Sequence, residues 1–284
     1  MSWEWVSPEG RSGGLLIGAN NEILEVTEYK KGRFCQFFVL KLRENEFKWG
    51  VCNVYGPVQM YLKAEFLREL MELILSTEVP IIVGGYFNLV RDSFEKSSGN
   101  INASLVNMFN QFVSDTSLRE THRHGGTYTW TNKQSSPIMA VLDRIFILAG
   151  WEMWFLLASA RSLTRVGSDH NPLLVETENG ENTLSQIFRF ENAWLNQEGF
   201  KEWVVAKWPQ RHKAYILDHW NVVSSRLRKY LKGWSRNWGS DQKKAKQNLL
   251  LIIEQWDKMA EERELTNSEW VDRYDKEDEL CEDL

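Results

Sequence analysis

Apolar and polar positions alternate in short runs through the first part of the chain. Residues 13–18, 35–42 and 47–55 (GGLLIG, CQFFVLKL and FKWGVCNVY) are β-rich, with charged or glycine-containing stretches between them. That pattern predicts strands of one antiparallel sheet. Between Lys63 and Leu75 the spacing changes: Phe66, Leu67, Leu70, Leu73 and Ile74 recur with the helical period and predict an amphipathic helix. Pro80 then leads into Ile81-Ile82-Val83-Gly84-Gly85, an apolar run of the length of a fully buried strand. The helical period returns over Leu105–Val113, and Thr127–Trp130 and Val141–Leu148 read as strands again. Elements in this order imply an α+β fold or a layered α/β sandwich.

The texture changes near residue 178. Residues 176–182 (ETENGEN) are polar and contain a glycine, and β-rich runs almost vanish after them, so a boundary is expected there, dividing 1–178 from 179–284. Downstream, Leu227, Tyr230, Leu231 and Trp234, then Leu249, Ile252, Ile253 and Trp256, mark two amphipathic helices, 216–234 and 243–259. Lys and Arg gather between Lys207 and Lys246, Asp and Glu between Glu254 and Asp283, which reads as solvated helix faces, with a basic nucleic-acid contact as the alternative. Trp194, Trp203, Trp208, Trp220, Trp234, Trp238, Trp256 and Trp270 punctuate this tail; at helical spacing they read as core before contact surface.

Composition narrows the class. With 284 residues, 43% of them hydrophobic and 26% charged, the chain has material for one large core or two modest ones. A formal net charge of -5 argues against a surface given over wholly to nucleic acid, and leaves a local basic groove open. Cys35, Cys52 and Cys281 are far apart, with no CxxC pair and no histidine at zinc spacing, so neither a disulfide framework nor a structural zinc is indicated and a reducing compartment is expected. No basic segment followed by an apolar run opens the chain, and no stretch nears the roughly 18 apolar residues of a membrane span. The expectation is an intracellular protein, nuclear or cytoplasmic, without a membrane partner.

Three signals at strand ends carry chemistry: Gly84-Gly85-Tyr86-Phe87-Asn88, Leu142-Asp143-Arg144-Ile145-Phe146 and Gly167-Ser168-Asp169-His170-Asn171. An Asp beside a His can orient the imidazole and raise its proton affinity, which suits it to a phosphate oxygen. An Asn at a strand end offers an amide to a developing oxyanion, and further carboxylates would hold a divalent cation. Each signal has a plainer reading. Ser-Asp-His makes an ordinary turn with an N-cap, Asp143 could pair with Arg144, and Asn88 suits a turn.

In this order, preceded by Asn53-Val54-Tyr55-Gly56-Pro57 and with Thr129-Trp130 before Leu142-Asp143-Arg144, the motifs resemble the endonuclease/exonuclease/phosphatase superfamily. The resemblance is specifically to the apurinic-type endonuclease of plant LINE (non-LTR) retrotransposon proteins, whose pattern runs NVYGP, GDFN, TW with LDR, and SDH. Residues 95–100 (EKSSGN) and 188–195 (FRFENAWL) are similar to that family's loop and to the segment preceding its reverse transcriptase, so the resemblance covers nearly the whole chain. It implies a DNase I-like four-layered α/β sandwich, truncated, over 1–178, followed by a helical linker over 179–284. It also implies metal-assisted phosphodiester hydrolysis with magnesium or manganese and DNA as the partner, without a small-molecule cofactor. By matching position, His170 binds the phosphate, Asp143 orients His170, Asn88 and Tyr55 are further phosphate ligands, and Asp169 lies beside the metal.

Two departures from the family pattern imply an inactive, degenerate enzyme. Tyr86 stands where GDFN has its Asp, so a phenol with a reference pKa near ~10 replaces the group that positions water. Asp92 and Glu95 are close in sequence but would have to reach the same point from another loop. The family's opening strand, and the strand bearing its metal-ligand Glu, have no counterpart before Met1-Ser2-Trp3-Glu4-Trp5, and Glu4 is not a convincing substitute. Two other readings stay open: a residually active magnesium-dependent endonuclease or phosphatase, and a nucleic-acid or protein-binding module built on the Trp-rich tail.

Overall fold

The computed structural model describes residues 1–8, 13–44, 46–134, 136–177, 190, 192–208 and 216–282, with the side chains of 193, 216–219 and 235–242 left out. The expected boundary near 178 and most of the 188–191 segment fall outside the described residues. The strands are β1 (Ser2–Val6), β2 (Leu15–Ala19), β3 (Leu24–Lys31), β4 (Cys35–Leu42), β5 (Lys48–Tyr55), β6 (Ile81–Tyr86), β7 (Arg119–Glu120), β8 (Arg123–His124), β9 (Trp130–Thr131), β10 (Met139–Ala140), β11 (Asp143–Ile147), β12 (Ser159–Ser162) and β13 (Leu173–Glu176). The helices are α1 (Lys63–Leu75), α2 (Ala103–Asp115), α3 (Ala149–Trp154), α4 (Phe200–Lys207), α5 (Ile216–Glu262) and α6 (Asn267–Glu282). The fold class is α+β.

Residues 1–179 and 253–282 form one compact unit, and 180–252 form a second. In the first, a six-stranded sheet has the order β3-β4-β5-β6-β11-β7, and a three-stranded sheet the order β13-β12-β8. The large sheet is mixed rather than wholly antiparallel, because α1 carries the chain from β5 to a parallel β6; a parallel neighbour requires such a crossover. β1 and β2 make a separate hairpin, so the 13–18 run does not join the strands of 35–42 and 47–55.

Strand periodicity explains the layers. Consecutive side chains of a strand point to opposite faces: Phe37 packs with Phe66, Leu70, Phe109 and Phe146 under α1 and α2, while Phe38 packs with Ala19 and Leu40 on the other side. β4 is therefore buried on both faces along its CQFFVL run, where the one polar side chain, Gln36, donates to the Tyr29 hydroxyl at 3.0 Å. On that second face Ile82, Ile145 and Ile147 meet Trp151 and Ala160, which seals the three-stranded sheet against the large one. At roughly 1.5–3 kcal/mol per fully buried apolar side chain, these two faces are the main stabilising term of the unit.

In the second unit Trp194, Phe200 and Leu231 are buried among Trp203, Leu227 and Trp234. Trp194, Trp203 and Trp234 are thus core here and Trp270 is buried in the first unit, whereas Trp208 and Trp220 are exposed and depart from the core reading. The two helices expected at 216–234 and 243–259 are one continuous α5, since the intervening polar stretch holds no proline and Gly233 and Gly239 lower helical stability by only about 1 kcal/mol each.

Candidate active site

Two close backbone approaches build the site. β5 and β6 run parallel with Tyr55 opposite Tyr86, and their ends come so near that a Cβ at Gly85 would lie 2.4 Å from the Val54 carbonyl oxygen and one at Gly56 2.1 Å from that of Phe87. Gly85 also has φ +136°, which side-chain-bearing residues avoid. The glycines of the two motifs are thus what bring Tyr55 and Tyr86 together, with ring centroids 5.2 Å apart.

β11 supplies Asp143 opposite Tyr86. Thr129, fully buried, fixes its entry: the Thr129 hydroxyl accepts the N–H groups of both Leu142 and Asp143 at 2.9 Å. The turn 167–171 lies beside residues 129–131 through Thr131 N–H to the Asp169 carbonyl (3.0 Å) and Asn171 N–H to the Thr129 carbonyl (2.7 Å). His170 thereby meets Asp143, and its Nδ1–H donates to the carboxylate at 2.8 Å. This holds Nε2 as the outward-facing nitrogen. Burial lowers the His170 pKa, but the hydrogen bond to Asp143 and the charges of Asp143 and Asp169 outweigh it, so the imidazole holds its proton above the ordinary range.

Asp169 stands at the outer side of His170, with Oδ1 4.0 Å from Nε2, and its Oδ2 accepts the Trp130 indole N–H at 3.0 Å. Tyr86 packs edge-on against His170 at 4.9 Å between ring centroids. Burial, then the neighbouring Tyr55, Asp143 and Asp169, push its phenol well above the ordinary tyrosine range, so it stays protonated and offers no base. Neither nearby acid replaces it. Glu95 pairs with Arg144 and with the Arg91 N–H, and Asp92 caps Ser93. Glu4 is exposed on the β1–β2 hairpin.

Asn88 adopts φ +53°, a conformation asparagine tolerates better than most residues. Its amide donates to the Pro57 carbonyl at 3.2 Å, and its own carbonyl accepts the Lys63 ammonium at 2.6 Å. The structure thus gives Asn88 a turn role, while it lines the same hollow as Tyr55, Trp130 and His170. That hollow has about 570 Å³; a second, of about 580 Å³, opens on the other side of His170 between Leu16, Asn53, Ile145 and Leu173. Thr129 and Trp130 are the site residues to which the sequence attached no role, though the TW motif before LDR marked their place.

A divalent cation, implied by the resemblance, finds few donors here. Among the described residues no three His, Cys, Asp or Glu side chains group as a metal site. Both oxygens of Asp143 face His170 Nδ1, and Asp169 holds the Trp130 indole. Magnesium asks for a near-octahedral oxygen set, and the residues present do not fit it.

No family model matches the sequence, and no curated protein matches it. Solved structures do match in part. The endonuclease domain of a telomere-specific non-LTR retrotransposon is 13% identical, covers 61% of this chain and 78% of its own, and gives a TM-score of 0.45. A mannosyl-6-phosphatase of Bacteroides thetaiotaomicron is 16% identical over 61% of this chain and 76% of its own, with a TM-score of 0.41. An endonuclease/exonuclease/phosphatase family protein of the same bacterium gives 15%, 61%, 74% and 0.43. Among the described residues no helix is long and apolar enough to cross a membrane.

Proposed function

We propose that this chain is a degenerate DNase I-like phosphodiester hydrolase, derived from a plant LINE-type retrotransposon protein, that binds a nucleic-acid phosphate without hydrolysing it. The observation that carries the reading is the Asp143–His170 pair, intact at 2.8 Å, with the Tyr86 ring packed on His170 where hydrolysis would need a carboxylate. A protonated imidazole braced by a carboxylate supplies a charge-assisted donor to a phosphate oxygen. Tyr55, Asn88 and Trp130 line the hollow that the rest of a nucleotide would enter. Turnover fails for want of a base to position water.

The test pairs turnover with binding. Supercoiled plasmid and an abasic-site duplex are incubated with the purified protein and magnesium or manganese, with chelator as control, beside His170→Ala. Binding of a short duplex is followed by fluorescence anisotropy. The expected result is duplex binding that weakens at least about tenfold in His170→Ala, a loss of about 1.4 kcal/mol, with no nicking in either protein. Metal-dependent nicking that vanishes in His170→Ala would overturn the claim of inactivity, and duplex binding indifferent to His170 would overturn the site.

A further inference from the structure

The acidic end of the chain does more than face water. Residues 253–282 belong to the first unit, and three of their carboxylates engage it: Glu261 accepts the Thr127 N–H (2.6 Å), Asp257 pairs with Arg165 (3.3 Å), and Glu277 accepts the Gly167 N–H (2.8 Å). Glu277 is the unusual one. It is 3% exposed, and the same Oε1 that takes the Gly167 N–H also takes the Lys133 ammonium at 2.8 Å. Its other oxygen pairs with Arg273, which is itself fully buried and bound to Asp257 at 2.9 Å and to the Arg165 carbonyl at 3.3 Å. Buried charges persist only when paired and hydrogen-bonded, and removing one partner of such a pair leaves the other uncompensated.

The two groups that share Oε1 sit at chosen places. Lys133 follows Trp130 and Thr131, and Gly167 precedes Asp169 and His170. These are the two segments joined by the Thr131–Asp169 and Asn171–Thr129 hydrogen bonds and by the Trp130–His170 bridge. At Gly167 the backbone takes φ +66°, so the turn into Ser168 has a sharp bend just where Glu277 grips it. We propose that Glu277 is a positioning residue for the Asp169-His170 turn: its carboxylate ties the strand end carrying Trp130 to the turn carrying His170, and so sets the mouth of the hollow that receives a phosphate. The purpose of the clamp rests on the phosphodiester reading; its existence does not.

The experiment measures amide hydrogen exchange on the full chain, with Val83 in β6 as internal reference, together with the Trp130 indole resonance and binding of inorganic phosphate. Glu277→Ala opens both arms, Glu277→Gln restores an acceptor for the Gly167 N–H, and Lys133→Met frees one arm without leaving a cation buried. In Glu277→Ala, Gly167, Thr131 and Asn171 are expected to exchange about tenfold faster or more while Val83 is unchanged, as in a local opening. The Trp130 indole resonance moves and phosphate affinity falls severalfold. Glu277→Gln recovers most of the Gly167 protection, and Lys133→Met accelerates Thr131 alone.

Acceleration of Val83 in parallel with the turn would reduce Glu277 to a general stabiliser and overturn the proposal. So would unchanged exchange at Gly167, Thr131 and Asn171. If Glu277→Ala does not fold, Lys133→Met decides by the same criterion at Thr131. Failure of the unsubstituted protein to bind phosphate counts against the functional reading and leaves the clamp to the exchange data.

Discussion

Asp143 and Arg144 are neighbours on β11, yet Asp143 pairs with His170 whereas Arg144 pairs with Glu95 and Glu120. The period of two along a strand sends the carboxylate to the candidate site and the guanidinium to the helix-covered face, over the Phe109 ring at 5.7 Å. Two adjacent charges that could have neutralised each other serve different ends instead. Arg144→Met would leave Glu95 without its cation, holding only the Arg91 N–H, while Glu120 keeps its pairing with Arg91, and a loss of about 3 kcal/mol in denaturant unfolding is expected.

Asp143→Asn tests the other side of the strand. An amide at this position no longer stabilises an imidazolium and can favour the wrong tautomer. Folding stability is expected to change by about 1 kcal/mol or less, while duplex affinity by anisotropy falls about tenfold. A variant that binds as well as the parent would remove Asp143 from the site.

Thr129→Val removes the hydroxyl that satisfies the Leu142 and Asp143 N–H groups. A fully buried donor left without an acceptor costs about 1–3 kcal/mol, and the strand end carrying Asp143 should loosen. Thermal unfolding gives the loss, and duplex binding is expected to weaken with it.

Lys63 is 3% exposed and donates to the Asn88 carbonyl, and burial lowers its ammonium from 10.5 to about 8. Between those values the unfolded chain keeps a proton that the folded chain has released, so this residue makes stability rise with pH through the window. Cys52 acts the other way, since burial holds its thiol well above the ordinary value and an unfolded chain ionises first. Subtracting Lys63→Met from the parent isolates the lysine. The difference in unfolding free energy is expected to climb by about 2 kcal/mol between roughly pH 8 and 10.5; a flat difference would place the amine in contact with water.

Tyr86→Phe keeps the ring packing on Tyr55 and His170 and removes only a hydroxyl whose pKa burial pushes above the ordinary tyrosine range. Stability within about 0.5 kcal/mol of the parent and unaltered duplex binding are expected. A marked fall in binding would assign the hydroxyl a direct contact with phosphate.

Much of this was legible because local pattern and final packing agree. α1 spans the Lys63–Leu75 interval marked by Phe66, Leu70 and Ile74, and the strands at 81–86 and 143–147 follow from apolar runs too short for helices. The motif order placed Asp143 and His170 at one point before any contact was known. What escaped the sequence is long-range or stereochemical. Nothing near Asn88 announces its positive φ, and the alternation that separates Asp143 from Arg144 needs the strand's neighbours before it means anything. The acidic run from Glu254 onward read as a solvated face, since a carboxylate's partners 110 or 144 residues away, as for Glu277 with Gly167 and Lys133, leave no mark in local composition.

That separation also orders events in time. A ribosome adds about 5–20 residues per second, so Gly167 precedes Glu277 out of the tunnel, across an interval of 110 residues, by roughly 5–22 s. The central sheet and its two helices can close within that delay. Until α6 follows, the Asp169-His170 turn is held by its hydrogen bonds to residues 129–131 and by Asp143, and the Glu277 clamp is the last of these tethers that a nascent chain can form.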